Sequence, residues 1–446
     1  MPPYKLAPIL SDADPREKAE GTLDPLSLEA IADSLATRLA PGVRERQHHP
    51  RFLTAIAVAL SLCRDFDPDT LAQDGVSEPW QVFEWYMVEG LTRKAEDPAE
   101  ISGLPGSMKA RQALADRVPL CATRYLVVPS VFGFHGVYRR LARELHVEDS
   151  ERLGELGYEL LCTWETEQNL EGFHSGRTGP GSPWRKCLLD AIKDGLTTGA
   201  TDRSGNWSGW EFFRDHLSIY NAGPLEKQVI TNALYGPKES TRYKLLNFLT
   251  SPGGKEALWK DETKSKIDER RFHQSFYENT DQEVKYLLDT IFVYEVFARN
   301  LADAFDACRH QMTLKHGKTI PGELSNAGPV RRAAAEIPAL FSEASRRLGD
   351  FGEALRFHDL FESFAEPSSP TEFVRKLIDH HRKVQKQKPP NGKNPWIELF
   401  DDGAMVIRPG YQLEEPVNEA EDYLHFFRTN PLWSFACDLG LIDGKE

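Results

Sequence analysis

The chain has 446 residues, a formal net charge of −14 at pH 7, and 40% hydrophobic and 27% charged residues. This composition is typical of a soluble globular protein, and the length allows roughly two to four domains. The acidic balance argues against electrostatic binding of the whole surface to nucleic acid or anionic membrane, although a local basic surface is compatible with it. We find no signal peptide and no apolar run long enough to cross a bilayer, so we expect a cytoplasmic protein without membrane contact.

Histidine and cysteine spacing predicts neither a metal site nor a cofactor. The six cysteines are widely scattered and form no C-x-x-C pair, which indicates reduced thiols without a disulfide framework. The adjacent pairs His48-His49 and His380-His381 have no cysteine or histidine at zinc-finger spacing.

The predicted fold class is mainly α: multi-helix bundle domains with a small C-terminal helix-plus-hairpin module that resembles a winged helix. Residues 1–22 are polar, and we expect them to be loosely ordered. Asp24-Pro25 predicts the start of the first helix, and Pro41-Gly42 predicts its end.

Further elements complete a predicted helical domain over residues 23–220. Helices are predicted from Pro50 and from Pro79, and residues 104–116 predict a short basic helix. Residues 124–130 are rich in β-branched side chains but contain a proline, so they predict a short edge strand at most. Helices are again predicted over 134–146 and 150–166.

A second helical domain is predicted over residues 221–366, with a long helix from Thr280 to Met312. Thr280 and Glu283 form a capping box at its start. Apolar side chains then recur at alternating steps of three and four over about nine helical turns. The seam contains Val284, Leu287, Ile291, Tyr294, Ala298, Leu301, Phe305, Cys308 and Met312. Because it mixes small and aromatic residues, it favours the spine of a bundle over a coiled coil between chains.

The third predicted domain, residues 367–446, contains a strongly basic segment in an otherwise acidic chain. Pro370 predicts the start of a helix with an apolar stripe. From Arg375 to Lys393 there are seven Lys/Arg residues against one acid, Asp379. Residues 396–400 and 404–408 read as two strands around an Asp-Gly turn, and residues 412–446 are acidic.

A basic helix followed by a hairpin is typical of a winged-helix module, whose cations contact nucleic-acid phosphates. The candidate nucleic-acid-binding residues are Arg375, Arg382, Lys383, Lys386, Lys388, Lys393 and Arg408. Two other interpretations stay open. The basic face could dock on an acidic partner, such as residues 412–423 of the same chain, or it could simply be solvated.

The sequence assigns no catalytic residue, and the absence of a catalytic motif favours a protein that is not an enzyme. Motifs for nucleotide binding, serine hydrolases and zinc proteases are absent. The spacing of Arg375 and His380 matches the Arg-x(4–6)-His pattern of helical metal-independent ribonucleases, in which His is the general base and Arg stabilises the phosphorane. That reaction is one alternative for the chain.

Three stretches carry a resemblance that extends over most of the chain. They are residues 41–60, residues 104–111 with 129–141, and residues 395–411. They resemble uncharacterised bacterial proteins carried beside helicases and nucleases in phage-defence or mobile-element islands. The resemblance implies a helical accessory subunit that acts near DNA, with protein partners in a multi-subunit antiviral defence system. The main alternative is a protein–protein adaptor without nucleic-acid binding.

Overall fold

The computed structural model describes residues 24–259, 268–388, 391–417 and 423–442. Within these residues the chain is mainly α-helical, and its β-structure is confined to two antiparallel two-stranded sheets and two isolated bridges. The predicted mainly α fold class is therefore confirmed. Every helix in this part of the chain is too short or too polar to cross a bilayer.

The described residues form nineteen α-helices and four strands. The first nine helices are α1 Glu29–Leu39, α2 Phe52–Cys63, α3 Pro79–Lys94, α4 Ser107–Ala115, α5 Pro129–Phe132, α6 Phe134–Glu144, α7 Glu155–Glu167, α8 Ser182–Thr198 and α9 Gly209–Leu217. The others are α10 Pro224–Tyr235, α11 Thr241–Leu249, α12 Pro252–Ala257, α13 Glu269–Glu278, α14 Gln282–Lys315, α15 Pro321–Leu324, α16 Gly328–Gly349, α17 Ala354–Phe361, α18 Pro370–Gln387 and α19 Asn430–Asp438. The strands are β1 Glu148–Asp149, β2 Arg152–Leu153, β3 Ile397–Leu399 and β4 Met405–Ile407.

The chain divides into two compact units, and each combines two separated stretches. Unit one contains Met1–Leu35 and Tyr286–His425, and unit two contains Ala36–Lys285 and Phe426–Glu446. The predicted boundary near residue 220 falls inside unit two, and the one at residues 366–367 falls inside unit one. The prediction for residues 1–22 lies outside the described residues.

Unit two is organised around α2, which is buried on every side from Phe52 to Leu62. Helices α3, α6, α7 and α8 surround it. Helix α9 approaches α3 closely because α3 has a glycine at the crossing point. A Cβ atom at Gly90 would lie 2.7 Å from the Phe213 ring.

Unit one is built on the long helix α14, whose predicted apolar seam is buried. Tyr294, Ala298, Leu301 and Cys308 have no exposed surface. The seam is covered by other elements of the same chain, which confirms the spine over a coiled coil. Phe297 adds an aromatic cluster on the same helix, with ring centroids 5.0 Å from Phe357 and 5.2 Å from Phe361.

Three local predictions are wrong. Residues 124–130 form no strand; the chain there makes a 3-10 turn and then α5, because Pro129 fits the first turn of a helix. Residues 148–153 form the hairpin β1–β2, so α7 begins at Glu155. Helix α1 begins at Glu29, because the Asp24 carboxylate accepts hydrogen bonds from the Leu26 and Glu29 N–H groups and holds a turn.

The start of α14 also differs from the predicted capping box. Asp281 Oδ1 accepts the hydrogen bond from the Val284 N–H at 3.1 Å. An aspartate at this position satisfies a first-turn donor as a threonine would, so the helix start itself was predicted correctly.

Candidate nucleic-acid interface

Helix α18 separates an apolar face from a basic face. Pro370 occupies the first turn, and Ser369 Oγ accepts a hydrogen bond from the Glu372 N–H at 3.3 Å, so the chain enters the helix with a cap. The buried face contains Phe373, Val374, Leu377, Ile378, His380, His381, Val384 and Gln385. This face packs against α15 and α16 of the same unit, which leaves the opposite face to solvent.

The exposed face of α18 presents cations at regular spacing. Arg375, Arg382 and Lys386 are separated by seven and four residues, so they lie within an arc of about 40° and span about 16 Å along the helix axis. Arg375, Lys383 and Lys386 are exposed. The stretch from residue 375 to 393 carries +6, so the rest of the chain carries −20, since the two add to the net charge of −14. The charge contrast is therefore local and strong.

Two acidic residues reduce the positive charge of this face. Asp379 lies on the same side of the helix and pairs with Arg382 at 3.4 Å, and Glu372 is exposed in the first turn. An exposed ion pair of this length is weak, about 1 kcal/mol or less, so a phosphate can compete for the Arg382 guanidinium. The face stays net positive.

Strands β3 and β4 form the predicted hairpin. Ile397 pairs with Ile407, and Leu399 pairs with Met405. Gly403 adopts a φ of 77° in the turn, a conformation that favours glycine. The hairpin does not stand alone, because Met405 also forms a bridge with Thr319 ahead of α15. The helix and the hairpin are confirmed, whereas the winged-helix arrangement stays a prediction.

Besides Arg382, the structure uses two more of the seven candidate cations for internal contacts. Lys388 is half-buried and its Nζ donates to the Asp24 carbonyl at 2.8 Å, and burial lowers the pKa of its ammonium group. Arg408 pairs with Glu398 across the hairpin at 3.3 Å, with 18% of its side chain exposed. Lys393 is half-buried. These residues are less suited to a phosphate contact than Arg375, Lys383 and Lys386.

His380 and His381 attach the segment before α1 to α18. His380 Nε2 donates to the Leu26 carbonyl at 2.8 Å, and His381 Nδ1 donates to the Pro25 carbonyl at 3.0 Å. His381 Nε2 accepts a hydrogen bond from the Trp396 N–H at 2.9 Å, which fixes the neutral tautomer. Burial lowers the pKa of both imidazoles, that of His381 to about 4.

These contacts bear on the ribonuclease alternative. His380 is 6% exposed and one of its nitrogens is held by a carbonyl, whereas Arg375 points to solvent. A general base must reach the proton that it removes, and a buried imidazole on the other face of the helix from its arginine does not. The geometry gives no support to a shared active site for this pair.

A stack of three side chains behind the hairpin was missed by sequence reasoning. The Tyr411 ring lies parallel to the Trp396 ring with centroids 4.7 Å apart, and the Arg309 guanidinium lies 5.0 Å from the Trp396 centroid. Arg309 also donates to the Tyr411 carbonyl at 2.8 Å. Aromatic residues at both ends of the hairpin could have predicted that the two rings meet. The contribution of Arg309 from α14 could not be predicted, because that residue is distant in sequence.

Comparisons with known proteins found no match for the chain. The chain matches no protein-family model, no curated protein and no solved structure. Within the described ranges, no group of three or more His, Cys, Asp or Glu side chains is arranged to hold a metal ion.

Proposed function

We propose that the chain is a non-catalytic accessory subunit of a bacterial defence or DNA-processing system, and that it contacts the phosphate backbone of nucleic acid through the exposed face of α18. One observation carries the proposal. Arg375, Lys383 and Lys386 are exposed, and none of them makes an ion pair or hydrogen bond with another described residue. Their charges are therefore available to an external polyanion.

The arrangement favours contact with phosphates over the reading of bases. Cations on a helix face about 16 Å long match a backbone that carries one charge per about 1.7 Å of duplex. Base recognition instead uses bidentate amides or arginines that enter a groove. We therefore expect binding that depends on salt and varies little with sequence.

The direct test is fluorescence anisotropy with a labelled DNA duplex and with single-stranded DNA at several salt concentrations. The test variant carries Arg375→Gln, Lys383→Gln and Lys386→Gln. We expect it to bind at least ten-fold more weakly than the unmodified chain at low salt. The control variant carries Lys186→Gln, Lys193→Gln and Lys238→Gln, which remove the same charge at exposed positions outside α18. Equal binding by both variants would assign the affinity to net charge and contradict the interface.

A second function, a protein–protein adaptor, is favoured by apolar side chains around the hairpin. Leu399 is 41% exposed, Phe400 is 37% exposed and Ile320, next to the strand bridge, is 51% exposed. Exposed apolar clusters mark binding surfaces. Affinity purification from the native host, with and without nuclease, separates the two functions. A partner retained after nuclease treatment and lost with Phe400→Ser favours the adaptor, whereas a partner lost with nuclease favours the tether to nucleic acid.

A further inference from the structure

Unit two contains a cavity of about 220 Å³ that the proposed function does not use. It lies between the residues that precede α2, the loop before α10, the first turns of α10 and the end of α19. Ile219, Ile230 and Leu439 give it apolar walls, and three charged side chains, Arg51, Lys227 and Asp438, also line it. Small-molecule sites combine apolar walls with a few polar groups, and this cavity is smaller than the roughly 300–1,000 Å³ of drug-sized sites.

Arg51 forms a fixed and neutralised part of the wall. Its Nε donates to Glu226 Oε1 at 3.1 Å and its Nη2 donates to the His216 carbonyl at 3.0 Å. Its Nη1 donates to the Ser218 carbonyl and to Asn221 Oδ1. All three guanidinium nitrogens therefore donate to protein acceptors, and the Glu226 carboxylate balances the positive charge. Arg51 therefore shapes the cavity and does not receive a ligand.

Asp438 is likewise neutralised, by His49. His49 Nδ1 lies 2.6 Å from Asp438 Oδ2, and His49 Nε2 lies 2.8 Å from the Ser102 carbonyl oxygen. The two contacts are satisfied when one proton lies between His49 and Asp438 and the other ring nitrogen donates to the Ser102 carbonyl. With that proton shared between them, His49 and Asp438 together carry no net charge.

Lys227 is then the charged side chain of the cavity wall that has no described pairing partner. It is half-buried in the first turn of α10. The backbone donors of that turn are taken, because Glu167 accepts hydrogen bonds from the Leu225 and Glu226 N–H groups at 2.7 and 2.8 Å. A ligand therefore meets one cation and no helix N-terminus, which suits a single negative charge better than a phosphate dianion.

We propose that this cavity binds a small monocarboxylate with a compact apolar body, the carboxylate facing Lys227 and the body lying between Ile219 and Ile230. At about 30 Å³ per water-sized group, the volume of about 220 Å³ accommodates about seven such groups, which is the size of 3-methylbutanoate. The binding site would make the chain a receptor for an organic acid, independently of any contact with nucleic acid.

Cys437 supplies a readout that needs no activity. The thiol lines the cavity and is half-buried, and burial raises its pKa to about 11, so alkylation is slow and sensitive to occlusion. Benzoate and 3-methylbutanoate are the probes, and benzyl alcohol and benzylamine are neutral and cationic controls of similar shape. Iodoacetamide labelling of Cys437 in the full chain is measured by peptide mass spectrometry.

We expect at least one carboxylate to slow labelling of Cys437 several-fold at millimolar concentration, and the two controls to have no such effect. Lys227→Met keeps the side-chain volume and should raise the concentration needed for protection at least ten-fold. Lys238→Met, at an exposed lysine outside the cavity, should not. Absence of protection by both carboxylates, equal protection by benzylamine or benzyl alcohol, or unchanged protection in a folded Lys227→Met variant would each overturn the proposal.

Discussion

Protonation of His381 should loosen unit one at mildly acid pH. The neutral ring donates to the Pro25 carbonyl and accepts from the Trp396 N–H, so a second proton removes the acceptor and buries a charge. The folded pKa is about 4 and the ordinary value is 6.5. Between these values the unfolded chain binds a proton that the folded chain does not. This contribution to stability is therefore fully present above pH 6.5 and is lost as the pH falls to 4.

The magnitude follows from the size of the depression. A difference of about 2.5 pKa units corresponds to about 3 kcal/mol, or roughly a 100-fold change in an opening equilibrium. Hydrogen–deuterium exchange of peptides from the hairpin, corrected for the intrinsic effect of pH, measures that opening locally. In the unmodified chain we expect hairpin protection to fall by about this factor between pH 7 and pH 4.

The His381→Gln variant isolates the residue from other titrating groups. Glutamine can still accept from the Trp396 N–H but does not titrate, so the variant starts less stable and loses less on acidification. The informative quantity is the pH dependence of the difference between the two proteins. A difference that stays constant from pH 7 to pH 4 would refute the reasoning.

Three further predictions concern unit two and are measured by urea unfolding. Glu148 accepts from His135, Arg139 and Arg143 and has its pKa lowered to about 2, so Glu148→Gln should cost about 3 kcal/mol at pH 7, and the difference should shrink as the pH falls from 4.5 towards 2. Arg51→Met leaves Glu226 buried without its cation and should cost about 3–5 kcal/mol, whereas Arg214→Met breaks an exposed pair and should cost less than about 1 kcal/mol. Gly106→Ala places a Cβ 2.4 Å from the Tyr125 ring at a φ of 82° and should cost about 1–3 kcal/mol, whereas Gly205→Ala meets no atom within 4 Å and should be close to neutral. Equal effects within either matched pair, or a Glu148→Gln difference that ignores pH, would contradict the corresponding argument.

The sequence was sufficient for elements whose signals are local. The seam of α14 repeats over many turns, and α18 has a proline start and an apolar stripe, so both helices were predicted with their correct faces. The hairpin followed from an Asp-Gly turn between apolar runs. The strand prediction for residues 124–130 was wrong because β-branched side chains also fit a turn that leads into a helix. A strand also needs a pairing partner, which a local sequence pattern does not reveal.

The parts that could not be predicted depend on contacts between distant residues. Each unit joins two separated stretches of the chain, and no linker composition marks such a division. Lys388 and Arg408 looked equivalent to Lys383 and Lys386, because charge alone does not say which cation the fold has already used. Lys388 reaches a carbonyl 364 residues away in sequence. The pairing of His49 with Asp438 spans 389 residues and had no local signal.

The salt dependence of DNA binding tests the central claim most directly. Each phosphate contact contributes about −0.9 to the slope of log K against log salt concentration for a duplex. Replacing Arg375, Lys383 and Lys386 together with glutamine should therefore make the slope about 2.7 units shallower than in the unmodified chain, while the Lys186, Lys193 and Lys238 control keeps the original slope. An unchanged slope in the α18 variant, or an equal change in the control, would contradict a nucleic-acid interface on α18.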